Sequence, residues 1–253
     1  MINSKFSVTL IIMILLSASL ISESIEGLQA HYCFEGNAND ISGNSNHGIE
    51  YGDINYSAGV DGNAKLFNNT GDNDYIIAPN TLGQEYTLSL WTNLTSVGAH
   101  NSLVMLNSTI NWGDSDFWLF TSHNRIAVIQ DGNDLRYNAY NTAFLNSPVL
   151  ADNTTYSITV TYSNQLLKVY VAGTLYTQYD NVSSISGSSS NIKIGATTDN
   201  RYQTSGIIDE LKIYNQVIND SQALSLASIP EVSTIFFLLI GSFIILLKFN
   251  RTA

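Results

Sequence analysis

Trp112 lies between Asn111 and Gly113 at the head of the stretch WGDSDFWLF, which also carries Asp114 and Asp116. A tryptophan presented from such a polar loop can stack on the apolar face of a sugar ring while neighbouring Asn and Asp side chains take its hydroxyls. Trp118, Tyr137 and Tyr140 follow nearby, and Asp199 stands in a second polar loop, IGATTDNRY. Strand-like alternation around Trp91 and Trp118 predicts that both are buried, which leaves Trp112 as the ring free to meet a ligand. The turn from Gly36 to Gly48 is dense in Gly, Asn, Asp and Ser. Such glycines supply positive φ angles and such side chains bond their own backbone. The same oxygen-rich composition also suits calcium, a hard cation that takes roughly six to eight oxygens. Catalysis has poorer material. Glycoside hydrolysis generally needs two carboxyl groups flanking the bond, and the adjacent pair Asp209 and Glu210 would point to opposite faces of a strand. His31, His47, His100 and His123 lack metal-ligand spacing, Cys33 has no second cysteine, and neither a GxSxG elbow nor a phosphate loop is present.

The chain of 253 residues carries 10 Lys and Arg against 21 Asp and Glu, a formal charge of -11. No basic patch is visible to make the phosphate contacts of nucleic acid or anionic lipid binding. Charged residues are only 12% of the chain, so surface polarity must come mostly from Asn, Ser, Thr, Gly and Tyr, which suits an extracellular β protein. With a single cysteine no intramolecular disulfide can form, and the fold must rest on core burial. At the N-terminus Lys5, the apolar run Val8 to Leu16 and the small residues Ser17 to Ser19, Ser22 and Ser24 follow the order of a secretory signal peptide. Residues 1–24 are therefore expected to be removed, with cleavage after Ser19 or Ser24.

The other end reads IPEVSTIFFLLIGSFIILLKFNRTA. Its apolar run from Ile235 to Leu247 is about 13 residues, and counted from Ile229 it only approaches the roughly 20 that span a bilayer. Lys248 and Arg251 favour a cytoplasmic end. Pro230, Glu231, Ser233 and Thr234 followed by an apolar segment and basic residues resemble the PEP-CTERM sorting signal, although Val232 stands in place of the second proline. The resemblance implies that an exosortase-type enzyme processes residues 229–253; the alternative is a permanent single-span transmembrane anchor. Either way the body lies outside the inner membrane.

About 200 residues remain, enough for one core. Short apolar alternations recur between Gly, Asn, Asp and Ser clusters, the pattern of an antiparallel sandwich. Strands are predicted at Leu28 to Glu35, Glu85 to Asn93, Asp116 to Ser122, Arg125 to Gln130, Thr155 to Tyr162, Asn191 to Gly195 and Gly206 to Tyr214. Ser163 and Asn164 are expected to turn the chain into QLLKVYVAG, and Asn219 to Ala227 reads as a helix with Asn219 or Asp220 as N-cap. The blocks HYCFEGNANDISGNSNHGIEYG, GNAKLFNNTGDNDYIIAP, EYTLSLWTNL, KVYVAG and IKIGATTDNRYQTSGIIDELKIYNQVINDSQ, in that order, resemble the LamG-like jelly rolls of the concanavalin A-like lectin and glucanase group.

That resemblance covers about Leu28 to Ala227 and implies an all-β, two-sheet jelly-roll domain over residues 25–228 with one short C-terminal helix. It implies a structural calcium joining Asp40 to Asp209, and a rim calcium or sugar site at Asp114 or Asp116 with Asp199, beside Trp112. Glucanases of this fold carry an ExDxE strand that this sequence lacks. The expected protein is a secreted or surface-attached, non-catalytic module that binds a surface glycan or exopolysaccharide. An adhesive protein with a protein partner and a diverged polysaccharide hydrolase or lyase are the alternatives.

Overall fold

The computed structural model describes residues 25–68, 73–106, 116–131, 133–134, 141–185 and 189–228. Among them the strands are β1 (Leu28–Tyr32), β2 (Ile49–Tyr51), β3 (Asn55–Ala58), β4 (Asn63–Phe67), β5 (Tyr75–Pro79), β6 (Tyr86–Leu94), β7 (Ser102–Leu106) and β8 (Phe117–Ser122), then β9 (Arg125–Gln130), β10 (Asn133–Asp134), β11 (Thr155–Ser163), β12 (Leu166–Val171), β13 (Thr174–Tyr179), β14 (Asn191–Ile194) and β15 (Gly206–Tyr214). Two short helices, α1 (Asn141–Asn146) and α2 (Asp220–Leu226), accompany them. One sheet runs β13-β12-β11-β6-β15-β4-β3, with β1 paired to the far half of β15, and the other runs β10-β9-β8-β7-β14-β5-β2. Every pairing is antiparallel, so the architecture is the expected jelly-roll sandwich.

Alternation decides which side chains form the core. On β11 Ile158, Val160 and Tyr162 face inward, as do Tyr86, Leu88 and Leu90 on β6 and Phe117 and Leu119 on β8. At about 25 cal/mol per Å² of apolar surface, this shared layer is the main stabilising contribution to the fold. The hairpins follow from turn chemistry. His123 and Asn124, Asn164 and Gln165, and Ala172 and Gly173 all have positive φ, the arrangement in which a two-residue turn matches strand twist. The β11–β12 turn is therefore Asn164–Gln165 and not Ser163–Asn164, because Ser163 still pairs with Leu166.

A capping box closes α2: Asn219 accepts from the Gln222 N–H at 2.9 Å, and the Gln222 side chain accepts from the Asn219 N–H at 3.0 Å. Tyr170, Ile218 and Ala223 bury this helix against the outer face of the eight-stranded sheet, with Ile25 and Leu226 packed alongside. Cys33 lies just past β1 and is half-buried, not within a strand as expected. Among the described residues no helix is long and apolar enough to cross a membrane. Residues 1–24, the tail 229–253 with Pro230, Glu231, Ser233 and Thr234, and the aromatic or acidic residues Trp112, Asp114, Tyr137 and Tyr140 lie outside the described residues.

Candidate functional site

The opening turn is built around one carboxylate. Asp40 Oδ1 accepts the N–H groups of His31 and Ser42 at 2.8 Å, and Oδ2 accepts the Asn46 N–H and the Ser42 hydroxyl at 2.9 Å. Burial raises the Asp40 pKa, but these hydrogen bonds outweigh it and leave the group below the ordinary carboxylate range. Asp209 is held by a different set. Its Oδ2 accepts from Val60 at 2.8 Å, and its Oδ1 accepts the Glu210 N–H at 2.8 Å. A calcium joining Asp40 to Asp209 would have to share these oxygens with the backbone donors that already hold them. Among the described residues no group of three His, Cys, Asp or Glu side chains could hold a metal.

Of the expected rim residues, Asp116 and Asp199 are among those described. Asp199 accepts from the Thr197 hydroxyl at 2.8 Å and from the Arg201 backbone at 3.2 Å, and it is ion-paired with the Arg201 guanidinium. Asp116 is buried at the start of β8, where its carbonyl accepts from Asp131. Trp118 is buried as expected and donates Nε1–H to Ser102 Oγ at 2.9 Å. Trp91 is only half-buried, since it points to the outer face of β6, opposite Ser157 and Asp209.

β15 departs from strand periodicity where it matters for catalysis. Glu210 has φ of 49°, and a bulge interrupts the register between Asp209 and Lys212. Ile208 and Leu211 both enter the core, so the two acids between them share the outer face and do not oppose each other across the sheet. Glu210 Oε2 meets His31 Nε2 at 2.9 Å and Lys212 Nζ at 2.6 Å. Burial pushes Asp209 up to about 6. It also raises Glu210, but the bonds from His31 and Lys212 win and bring that group down to about 2. Split values of this kind suit an acid and a base. Asp209, however, is fully buried beneath the Gly59–Asp61 turn and cannot touch a substrate oxygen, as proton transfer requires.

The outer face of the seven-stranded sheet offers different material. Strand registers place Ile49, Ile77, Lys193, Met105, Trp118 and Ile129 in one row across β2, β5, β14, β7, β8 and β9. The middle of this row is covered. The turn after β14 folds over it, with Thr198 on Met105 Sδ and Tyr202 against Trp118, while Phe144 of α1 joins the same cluster. The β2–β5 end is open. There Tyr51 stacks on Tyr75 with ring centroids 4.8 Å apart and planes at 19°. Lys193 Nζ sits 3.7 Å from the centre of the Tyr75 ring, and also bonds Asn200 Oδ1 and the Thr198 carbonyl. Tyr51 is 41% exposed and Ile49 60% exposed, whereas Lys193 is 8% exposed. Tyr75 is thus fixed by a cation and in turn fixes Tyr51, whose ring stands at the sheet edge.

This platform was not among the expected site residues. Tyr51 ends the IEY segment and Tyr75 follows GDND, two blocks readable as strands, but their meeting depends on the β2–β5 register, which joins residues 24 apart in sequence, Tyr51 opposite Tyr75.

Residues 69–223 match a laminin G-type family model described as concanavalin A-like lectin/glucanases superfamily. Comparison with curated proteins finds no match. Domain 4 of AbnA, a GH43 extracellular arabinanase from Geobacillus stearothermophilus, solved in complex with arabinotriose, is 20% identical with a TM-score of 0.64. The match covers 80% of this chain and 98% of that domain. The binding domain of Paraclostridial Mosquitocidal Protein 1 is 16% identical with a TM-score of 0.60, covering 80% of this chain and 52% of that one. Botulinum neurotoxin type C, described as entering cells through interaction with two ganglioside molecules, is 15% identical with a TM-score of 0.57 over 80% of this chain and 51% of that one. The chain spans about half the length of these two toxin structures, and at such identities the likeness is one of fold.

Proposed function

The chain belongs to the concanavalin A-like lectin/glucanases superfamily, and on that premise we propose that it is a non-catalytic carbohydrate-binding module whose sugar contact is the Tyr51 platform. The observation that carries this reading is the stack of Tyr51 on Tyr75 beneath Lys193. A sugar ring offers an apolar C–H face and a rim of hydroxyls, so it gains from a flat aromatic surface with polar groups around it. A ring already held by stacking loses little freedom when the sugar arrives. Domain 4 of the arabinanase supports the reading, because nearly all of that arabinotriose-bound domain is matched. The toxin domains add less, since half of each lies outside the match.

Sealing of Asp209 supports binding without cleavage. The N-terminal and C-terminal segments support delivery to the cell surface or extracellular matrix, with the tail as substrate of an exosortase-type enzyme or as a membrane anchor. Calcium, at Asp40 with Asp209 or at Asp114 or Asp116 with Asp199, is compatible with this reading but not required by it.

The test is a panel of immobilised glycans, arabinan oligosaccharides included, against residues 25–228 and its Tyr51→Ala variant. The expected result is saccharide binding that Tyr51→Ala weakens by about 1 to 3 kcal/mol, the scale of a well-placed aromatic contact. A folded Tyr51→Ala protein with wild-type affinity would remove the platform as the binding surface.

A further inference from the structure

The charges around the platform restrict what it can take. Two ammonium groups lie close, and both are engaged. Lys193 is spent on the Tyr75 ring, the Thr198 carbonyl and Asn200. Lys65 is fully buried between the sheets, where it donates to the Asp53 carbonyl at 3.2 Å and lies 3.5 Å from Glu50. Glu50 also accepts from Tyr56 at 2.5 Å, so Lys65 is locked into an interior network. Arg201, on the turn that covers the middle of the sheet, is ion-paired with Asp199.

Carboxylates also stand at this edge. Asp53 is exposed two residues beyond Tyr51, and its N–H is held at 2.6 Å by Asp74 Oδ1, immediately before Tyr75. The other oxygen of Asp74 is buried without a hydrogen-bond partner. A second anion brought to this edge would meet the exposed Asp53, while Lys193 is 8% exposed and Arg201 is already ion-paired, in a chain whose formal charge is -11. Like charges at an exposed edge repel, and salt screens the repulsion.

Resting on the carbohydrate-binding reading above, we infer that the platform selects an uncharged glycan and rejects uronic, sialylated and sulfated ones. The aromatic face supplies attraction that is indifferent to charge, and Asp53 with Asp74 supplies the discrimination. A specificity of this kind is set by a repulsive element as much as by contacts.

The experiment measures affinity of residues 25–228 for matched pairs of oligosaccharides, each an uncharged chain and its uronate counterpart, at low and high salt. Expected is at least about tenfold weaker binding of the uronate at low salt, a gap that narrows as salt rises while affinity for the uncharged chain stays within about twofold. Asp53→Asn should narrow the same gap without altering affinity for the uncharged chain. Equal or tighter binding of the uronate, lost in high salt, would overturn the charge inference and leave carbohydrate binding standing. Failure of both members of every pair to bind would overturn the two together.

Discussion

The pair Asp209 and Glu210 makes the pH dependence of stability a quantitative test of the β15 bulge. Glu210 goes from an ordinary 4.5 to about 2 in the fold, where burial is outweighed by His31 and Lys212. Its contribution is therefore present above pH 4.5 and lost as pH falls toward 2. Asp209 is raised from 3.8 to about 6 by burial, against the opposing hydrogen bonds of Val60 and Glu210. The folded state then holds a proton that the unfolded state releases, so this contribution is present below pH 3.8 and lost as pH rises to 6. At about 1.4 kcal/mol per pH unit, each shift of roughly two units is worth about 3 kcal/mol. The lowered groups Asp40 and Asp199 add to the acid limb. Stability should peak near pH 4 and fall by about 2 to 3 kcal/mol by pH 7. Urea denaturation at fixed temperature from pH 3 to pH 7 would show it. Asn at position 209 cannot ionise, so Asp209→Asn should abolish the fall above pH 4 while keeping the acid limb, with His31 and Lys212 common to both proteins. A wild type whose stability climbs steadily from pH 4 to pH 7, or an Asp209→Asn curve parallel to it, would refute the account.

Gly195 has φ of 87°, and a Cβ there would enter the ring of Phe67, whereas Gly36 has φ of 79° with nothing near. Gly195→Ala should cost about 2 to 5 kcal/mol, the sum of backbone strain and overpacking, and Gly36→Ala about 1 to 2, both read from denaturation midpoints. Equal effects would show that the β14 turn has room to yield. For the tail, intact-mass analysis of surface-extracted protein should find a chain ending near Pro230; a mass that still includes Phe249 and Arg251 would establish the permanent anchor.

The layers of the fold were readable because they depend on local rules. The alternation of Tyr156, Ile158, Val160 and Tyr162, with Ser157 and Thr159 opposed, determines the two faces of β11 whatever lies beside it. Asn219 and Gln222 likewise announce the start of α2 within four residues. Short edge strands such as β3, and β13 with its exposed Leu175, carry too little alternation to declare themselves. The helix α1, six residues without an acidic first turn, gives no capping signal to read.

Sites were harder to read for a related reason. Asp40, Asp199 and Asp209 are oxygen-rich positions in sequence, but what claims their lone pairs is not declared locally, and the claimants here include backbone N–H groups. A chain with one cysteine and few charges must pin its long turns by some other means, and buried carboxylates gripping turn amides do so. The same economy explains the platform. With Asp40, Asp199 and Asp209 committed to turns, Tyr51 is the ring left open, because among the described residues no strand pairs with β2 beyond β5. A ring held at a sheet edge by a stack and a cation, with Asp209 sealed under a turn, is the arrangement on which the proposed binding without cleavage rests.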